Sequence, residues 1–181
     1  MEIKASTLFG AYIITPDIFI DNRGFFIELW QSEKYEKLGL LQDFVQDNLS
    51  YSTKGTLRGL HFQNPTPQGK LVTVLQGEVF DVMVDLRTNS PTFGKWEGVI
   101  LSEENKKQIY VPEGFAHGFV VTSETALFYY KCTEFYQPKN EKTLLWNDSD
   151  VGIEWPVKAP TVSIKDERGL RLKEFGAENL F

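Results

Sequence analysis

The segment from Val79 to Arg87, VFDVMVDLR, alternates between two kinds of side chain with a period of two residues. One set of alternate positions is wholly apolar, whereas the other set includes Asp81 and Asp85. Successive side chains of a β-strand point to opposite faces of a sheet, so this segment is predicted to be a strand. In a sandwich, one of its faces should pack between the sheets and the other should meet solvent or line a cavity.

Most of the chain carries the same signature. Short segments rich in Val, Ile, Phe and Tyr are separated by turns that contain Gly, Pro, Asn or Ser. They are AYIITPDIFI, LVTVLQGEVFDVMVDLR, GKWEGVILSEEN, KQIYVP, GFAHGFVVTS and ALFYYKCTEFY. One helix is predicted in QSEKYEKLGLL, with Ser32 as its cap and Gly39 at its end. The sequence therefore predicts a mostly β protein, an antiparallel sandwich or jelly roll with one or a few short helices.

The length of 181 residues predicts a single domain that spans the whole chain, 1–181. Its core should lie within about residues 20–140. The segment from about 138 to 181 is richer in turns but retains two tryptophans, so it is expected to pack on that core. The final residues, FGAENLF, match no motif.

Composition excludes several classes of function. A net charge of −6, with no run of Lys or Arg, argues against a nucleic-acid partner. The single cysteine, Cys132, excludes an internal disulfide and a cysteine-ligated metal site. No apolar segment approaches the roughly 18 residues of a membrane span, and no secretory leader is recognisable, so a cytoplasmic protein is expected.

Histidine is scarce, and its two positions are distinctive. His61 lies in LRGLHFQ, close to Arg58 and Lys70, and His117 lies in VPEGFAHGF. A histidine among apolar neighbours is often a core residue bonded to a backbone carbonyl. Here the nearby cations favour a functional site, and a glycine within two residues of each histidine permits close approach by another group. In a regular strand, His61 and Gln63 would share one face and Arg58 would lie on the other.

The same two segments raise the question of a metal. VPEGFAHGF fits P-x-G-x-x-H, the second metal-binding motif of cupins, and HFQ stands in place of the first motif. Gln63 occupies the position of a required ligand, and two histidines cannot supply the usual three. No metal is therefore predicted, and a metal-dependent cupin oxygenase is disfavoured.

Eight segments occur in a characteristic order between about residues 8 and 170. They are DNRGFFIELW, FVQDNLSYSTKGTLRGLHFQ, QGKLVTVLQGEVFDVMVDLR, SPTFGKWEGVILS, VPEGFAHGF, YYKCTEFY, WNDSDVGIEWP and SIKD. Together they resemble the dTDP-4-dehydrorhamnose 3,5-epimerases. The resemblance implies a cupin-type jelly-roll homodimer without a cofactor. It also implies conversion of dTDP-4-dehydro-6-deoxy-D-glucose to dTDP-4-dehydro-L-rhamnose in dTDP-rhamnose biosynthesis.

Inversion beside the C4 ketone of such a sugar needs a base, a group that stabilises an enolate, and an acid on the opposite face. Histidine suits the role of base because it titrates near neutrality, and Lys70 suits the developing negative charge. The resemblance pairs His61 with Asp166 and identifies Tyr130 as the acid. Tyr129 lies one residue away and must face the other side, so the strand register decides between the two tyrosines.

The resemblance also implies a set of substrate-binding residues, some of them supplied by the partner subunit. The set is Arg23, Phe26, Glu28, Gln46, Asn48, Arg58, Asp81, His117, Tyr136 and Lys165. The guanidinium fork of Arg23 suits diphosphate oxygens, and the rings of Phe26 and Tyr136 suit stacking on thymine or covering the sugar. Asp81 and His117 are expected to contact the sugar or to support the groups that do.

Two alternatives remain open from the sequence. The first is an epimerase that inverts only C3 or only C5 of a related nucleotide 4-keto-sugar, because delivery of one proton more or less depends on small differences in placement. The second is a non-catalytic cupin that binds a sugar nucleotide.

Overall fold

The computed structural model describes residues 1–181 and contains thirteen strands and two short helices. In chain order these are β1 (Glu2–Ala5), β2 (Tyr12–Thr15), β3 (Ile18–Asp21), β4 (Gly24–Ile27), α1 (Ser32–Glu36), β5 (Gln46–Thr53), β6 (Leu57–Gln63), β7 (Lys70–Gln76), β8 (Glu78–Asp85), β9 (Trp96–Ser102), β10 (Gln108–Val111), β11 (Phe115–Val121), β12 (Thr125–Cys132), β13 (Glu141–Thr143) and α2 (Ile164–Glu167). Two 3-10 turns, Leu172–Glu174 and Ala177–Asn179, follow α2. The predicted mostly β fold is confirmed.

Two antiparallel sheets enclose the main core. The first sheet has six strands in the order β1-β2-β10-β7-β12-β5, and the second has five in the order β13-β6-β11-β8-β9. Their facing sides contribute apolar side chains to one cluster, such as Val72 and Phe128 from the first sheet and Met83 and Phe119 from the second. This arrangement is the predicted sandwich, and the space between the sheets also holds the polar residues described below.

Strand β8 shows how both of its faces are used. Val79 and Met83 point between the sheets together with Asp81, whereas Val82 and Val84 point to the outer side of the five-stranded sheet. That outer side is covered by the C-terminal segment, whose Phe175 ring packs 5.4 Å from Phe62, measured between centroids. The apolar face is therefore buried outside the sandwich, and the mixed face lies inside it.

Helix α1 begins where the sequence predicted, but its cap is different. The side chain of Gln31, rather than that of Ser32, accepts the Lys34 N–H at 2.6 Å. Gly39 follows the helix with a φ of +89°, a value that favours glycine. The buried Tyr35 anchors α1 on the outer face of the six-stranded sheet. Helix α2 was not predicted, because four residues are too few for a helical periodicity.

A β-bulge interrupts the pairing of β6 with β11. His117 lies opposite His61, but Phe119 lies opposite Arg58, so β6 contains one extra residue between these pairs. The bulge reverses the alternation, and Arg58 consequently lines the same cavity as His61. The prediction that Arg58 would lie on the other face was wrong for this reason.

Gly59 and Gly118 allow the bulge to form. A Cβ on Gly118 would lie 2.6 Å from the Arg58 carbonyl oxygen and 2.9 Å from the Gly59 Cα. The close approach predicted beside the histidines therefore occurs between the two strands themselves.

The hairpin of β3 and β4 forms a separate two-stranded sheet. Its large apolar side chains, including Phe19, Phe25 and Phe26, are mostly exposed to solvent. The Lys106 ammonium lies 3.9 Å from the centre of the Phe25 ring.

None of the helices is long and apolar enough to cross a membrane.

We expect Gly118→Ala to destabilise the protein by about 3 kcal/mol, because the added methyl group meets backbone rather than a movable side chain. Gly39→Ala is the matched control. Its Cβ would meet no atom within 4 Å, so it carries only the cost of its positive φ, about 1 kcal/mol. Urea unfolding of both variants measures the difference. Equal losses of stability would contradict the close packing of the two strands.

Candidate active site

Two adjoining cavities open between the sheets, and His61, Lys70 and Tyr130 line both of them. The Tyr136 cavity, of about 300 Å³, is also lined by Gln46, Asn48, Phe62, Gln63, Gln68, Cys132, Tyr136 and Glu141. The His117 cavity, of about 450 Å³, is lined among others by Ser50, Arg58, His117, Phe119, Lys165 and Asp166. The three shared side chains therefore stand where the two cavities meet.

Strand register places the lysine and the tyrosine. Lys70, the first residue of β7, lies opposite Cys132 of β12, and Tyr130 lies opposite Val72. Since Val72 belongs to the core between the sheets, Tyr130 faces inward and lines the cavities. Tyr129 faces the other way, and its hydroxyl lies 3.4 Å from the Lys131 ammonium. The register thus places Tyr130, rather than Tyr129, at the cavities.

His61 forms a short hydrogen bond with Asp166. Its Nε2 lies 2.5 Å from Oδ1 of the buried carboxylate. Ser163 caps α2 by accepting the Asp166 N–H at 3.2 Å, and Thr161 ties the preceding segment to the start of β6 through backbone hydrogen bonds. These contacts explain how a residue near the C-terminus reaches a strand in the first half of the chain.

The charge of Asp166 follows from these contacts. Burial opposes ionisation, but the hydrogen bond and charge interaction with His61, together with hydrogen bonds from Ser163 and the Gly59 backbone, outweigh it. The pKa of Asp166 therefore lies below its ordinary value. The carboxylate is consequently ionised at neutral pH and holds the imidazole ring in one orientation.

Lys70 and Tyr130 present different polar groups to the same space. Lys70 is mostly buried, its ammonium forms no hydrogen bond or ion pair, and burial lowers its pKa. Burial also raises the pKa of Tyr130 to about 12, so its phenol is neutral at physiological pH. At one bound molecule, an imidazole can accept a proton, an unpaired ammonium can stabilise a negative charge, and a neutral phenol can donate a proton.

A second pair of a histidine and a carboxylate lies beside the first, because His117 is the cross-strand neighbour of His61. Nε2 of His117 lies 2.9 and 3.0 Å from the two carboxylate oxygens of Asp81. His117 lines its cavity, whereas Asp81 is fully buried behind it and lines neither cavity. This position behind His117 suits the second of the two expected roles of Asp81, which is to support a group that faces the cavity.

Gln63, at the position of a cupin metal ligand, is engaged by the backbone. Its amide group donates to the carbonyl oxygens of Thr66 and Phe135 at 2.9 and 3.2 Å, and its oxygen accepts the Gln137 N–H at 2.7 Å. These bonds hold the loop after β12 against β6. The donor set needed for a three-histidine centre does not form around His61.

The far end of the Tyr136 cavity is built from a chain of polar contacts. Glu141 accepts the Tyr136 hydroxyl and the Lys165 ammonium, each at 2.9 Å. Gln46 accepts the Tyr136 N–H at 2.9 Å and donates to Asn48 at the same distance. Predicted residues from three distant parts of the sequence therefore converge here.

Three predicted substrate-binding residues lie elsewhere in this subunit. Arg23 and Phe26 belong to the exposed β3–β4 hairpin, where Arg23 forms an ion pair with Asp21. Glu28 follows the hairpin and pairs with Lys34 at 2.6 Å. None of the three lines either cavity.

Several lining residues were not predicted. Cys132 follows Tyr130 by two positions, and Ser50 follows Asn48 by two, so strand alternation could have identified both. Glu141 had no local signal. It enters the site because the short strand β13 pairs with β6, a contact between distant parts of the chain.

The chain is similar to known proteins of one family. A family model described as dTDP-4-dehydrorhamnose 3,5-epimerase matches residues 5–174. The chain is 55% identical to the enzyme of that name from Shigella flexneri, over 93% of this chain and 94% of that protein. A namesake from Methanothermobacter thermautotrophicus is 49% identical over 95% and 94%.

A solved structure is equally similar. It is the dTDP-6-deoxy-D-glucose-3,5-epimerase of Legionella pneumophila in complex with dTDP-4-keto-L-rhamnose. The present chain superposes on that structure with a TM-score of 0.96 and is 50% identical to it, and the match covers 99% of this chain and 96% of that one.

The pKa of Asp166 predicts a pH-dependent contribution to stability. A lowered pKa in the folded state stabilises the protein above the unfolded value of about 4, and this stabilisation is lost as the pH falls through the folded-state pKa. We expect the free energy of unfolding of the wild type to exceed that of Asp166→Asn by more at pH 7 than at pH 3. Urea unfolding at both values measures this.

His61→Gln is the matched background, because it removes the imidazole that lowers the pKa of Asp166. In that background the effect of Asp166→Asn should depend less on pH. An effect of constant size at all pH values would contradict the electrostatic pairing.

Proposed function

Because the chain belongs to the dTDP-4-dehydrorhamnose 3,5-epimerase family, we propose that it converts dTDP-4-dehydro-6-deoxy-D-glucose to dTDP-4-dehydro-L-rhamnose. One observation carries the proposal: the hydrogen-bonded pair of His61 and Asp166 lines the same cavity as an unpaired ammonium and a neutral phenol. These are the groups that inversion beside a ketone requires.

The proposed reaction begins with proton removal. His61 takes a proton from the carbon next to C4, and the electron pair of the C–H bond moves into the carbonyl group to form an enolate. Lys70 stabilises the negative oxygen. Tyr130 then gives its proton to the opposite face of the carbon, and the enolate electrons form the new C–H bond as the ketone returns. The same sequence inverts the second carbon.

Asp166 supports the base in this scheme. With Nε2 of His61 hydrogen-bonded to the carboxylate, Nδ1 is left as the proton acceptor. The ionised carboxylate also stabilises the imidazolium that forms. Each inversion leaves an imidazolium and a phenolate, which return to their starting states by exchanging protons with solvent.

The nucleotide is assigned to the remaining polar groups. Tyr136, Gln46 and Asn48 suit the base and the sugar, and Arg58, which lines the His117 cavity, suits a phosphate or the sugar. Lys165 and His117 complete the substrate contacts.

We further infer a single domain over residues 1–181 that works without a cofactor in the cytoplasm.

A homodimer forms part of the proposal. Leu49, Tyr51 and Leu75 expose apolar surface on the outer side of the six-stranded sheet, beyond the part covered by α1. An exposed patch of this kind suits an interface. The β3–β4 hairpin offers a second apolar surface. Its Arg23 is paired with Asp21 but highly exposed, and we assign it to the site of the partner subunit.

The tyrosines provide a matched test. Incubation of the wild type with the substrate in D₂O should place deuterium at both C3 and C5 by NMR. Tyr130→Phe should lower kcat by about 100-fold or more, because it removes the acid. Tyr129→Phe, which removes a hydroxyl on the other face of the same strand, should stay within about twofold. His61→Ala should abolish exchange at both carbons.

Other outcomes of this experiment contradict the proposal. Deuterium at one carbon only would identify an epimerase of that carbon, and binding without any exchange would identify a non-catalytic binding protein. Equal losses in the two tyrosine variants would remove Tyr130 from the role of acid.

Sharing of the site between subunits is tested by complementation. Arg23→Ala and His61→Ala should each impair activity. Co-refolding equal amounts should restore about a quarter of the wild-type rate, since about half of the dimers are mixed and each has one intact site. No recovery from two impaired variants would show that Arg23 acts within its own subunit, and a fully active Arg23→Ala would show that it does not act at all. Analytical ultracentrifugation of each variant alone checks that both are dimeric.

A further inference from the structure

Three ionisable side chains from three strands meet beneath the cavities. They are Lys70 of β7, Asp81 of β8 and His117 of β11, with exposures of 8%, 0% and 6%. Asp81 and His117 are hydrogen-bonded to each other, and both interact electrostatically with Lys70. Charges this deeply buried are costly unless other charges compensate them.

The Lys70 ammonium is the group that lacks a partner. It forms no hydrogen bond or ion pair, although the chain holds other lysines in ion pairs, such as Lys131 with Asp47. Burial lowers its pKa. A protonated Lys70 therefore requires a nearby negative charge that does not bind it directly.

The titratable groups that face Lys70 can be considered in turn. They are Cys132 and Tyr130 of β12, Glu141 of β13, His61 of β6, His117 of β11 and Asp81 of β8. Histidines carry no negative charge. Burial raises the pKa of Cys132 and raises that of Tyr130 to about 12, so both are neutral at pH 7.

Two carboxylates remain, and they differ in their surroundings. The charge of Glu141 is met by Lys165 at 2.9 Å, and Glu141 also accepts the Tyr136 hydroxyl. Asp81 has no lysine or arginine within ion-pair distance, and its hydrogen bonds come from His117. Burial raises the pKa of Asp81, whereas the charge and hydrogen bond of His117 and the charge of Lys70 oppose that rise. With its ionised form supported in this way, Asp81 is the carboxylate whose charge is left to act on Lys70.

We propose that Asp81 is the counter-charge that keeps Lys70 protonated, and that His117 keeps this counter-charge from capturing the ammonium. Nε2 of His117 engages both oxygens of Asp81, at 2.9 and 3.0 Å. The field of the carboxylate still reaches Lys70, whereas the ammonium stays free to meet an oxygen of a bound molecule. Asp81 and His117 are in this respect positioning residues.

The chemistry of the site explains the value of this arrangement. A direct ion pair would keep the lysine charged but would also occupy its donors. Without any counter-charge the neutral form of the lysine would be favoured further, because burial lowers its pKa. An indirect pair avoids both outcomes. Only the kinetic consequence rests on the proposed function, since the protonation of Lys70 can be measured without substrate.

The test is an NMR titration of protein labelled with ¹³C,¹⁵N-lysine, in which Lys70→Arg assigns the Lys70 signal. Asp81→Asn should lower the Lys70 midpoint by about one pH unit or more, because a nearby opposite charge is removed. Asp81→Glu should retain most of the wild-type midpoint. Glu141→Gln is the matched control, and its shift should be clearly smaller because Lys165 already meets that charge.

The wild type supplies a measurement that does not depend on folding of a variant. The ¹³Cγ shift of Asp81 should report an ionised carboxylate at pH 7, and a protonated one would overturn the proposal. A midpoint unchanged in folded Asp81→Asn, or shifted more by Glu141→Gln, would overturn it as well.

Kinetics separate this inference from the proposed function. In Asp81→Asn the alkaline limb of the pH profile of kcat should move to lower pH by the same amount as the titration midpoint of Lys70. KM should change little. A shift of the midpoint without a shift of the limb would support the counter-charge and remove Lys70 from catalysis.

Discussion

Ionisable groups buried between two apolar sheets are the constraint on which this structure depends. A charge in such a place is tolerated only when another group compensates it. The protein meets this requirement by pairing the histidines of two adjacent strands with carboxylates, His61 with Asp166 and His117 with Asp81. The fold must therefore deliver a carboxylate to each histidine, one from within a sheet and one from the far end of the chain. Lys70 alone stays unpaired, which leaves its ammonium available.

The bulge in β6 also determines which side chains reach the cavities. A regular strand would direct Arg58 and His61 to opposite faces, so that the guanidinium group and the imidazole could not share a cavity. One extra residue corrects this, and it requires two glycines where β6 and β11 approach each other. The geometry of the site thus depends on backbone packing as well as on the polar side chains.

The C-terminal segment links stability to function. It covers the apolar outer face of the five-stranded sheet, and the short helix α2 within it carries Asp166. Packing of Phe175 against Phe62 and hydrogen bonding of Asp166 to His61 therefore anchor the same segment on both sides of β6. Loss of either contact is expected to weaken the other.

The tertiary structure, through the strand register, turned Tyr130 inward. The sequence by itself determined the strands, because alternation and turn residues are local signals, and it determined that Tyr129 and Tyr130 face opposite sides. Its ordered motifs indicated the family and the pairing of His61 with Asp166. Only the tertiary structure decided the bulge that moved Arg58, the burial of Asp81 behind His117, and the entry of Glu141 through β13. It also separated Arg23, Phe26 and Glu28 from the cavities of their own subunit. The physical reason is distance along the chain: His61 and Asp166 are 105 residues apart, and no local pattern encodes which remote segments come to lie side by side.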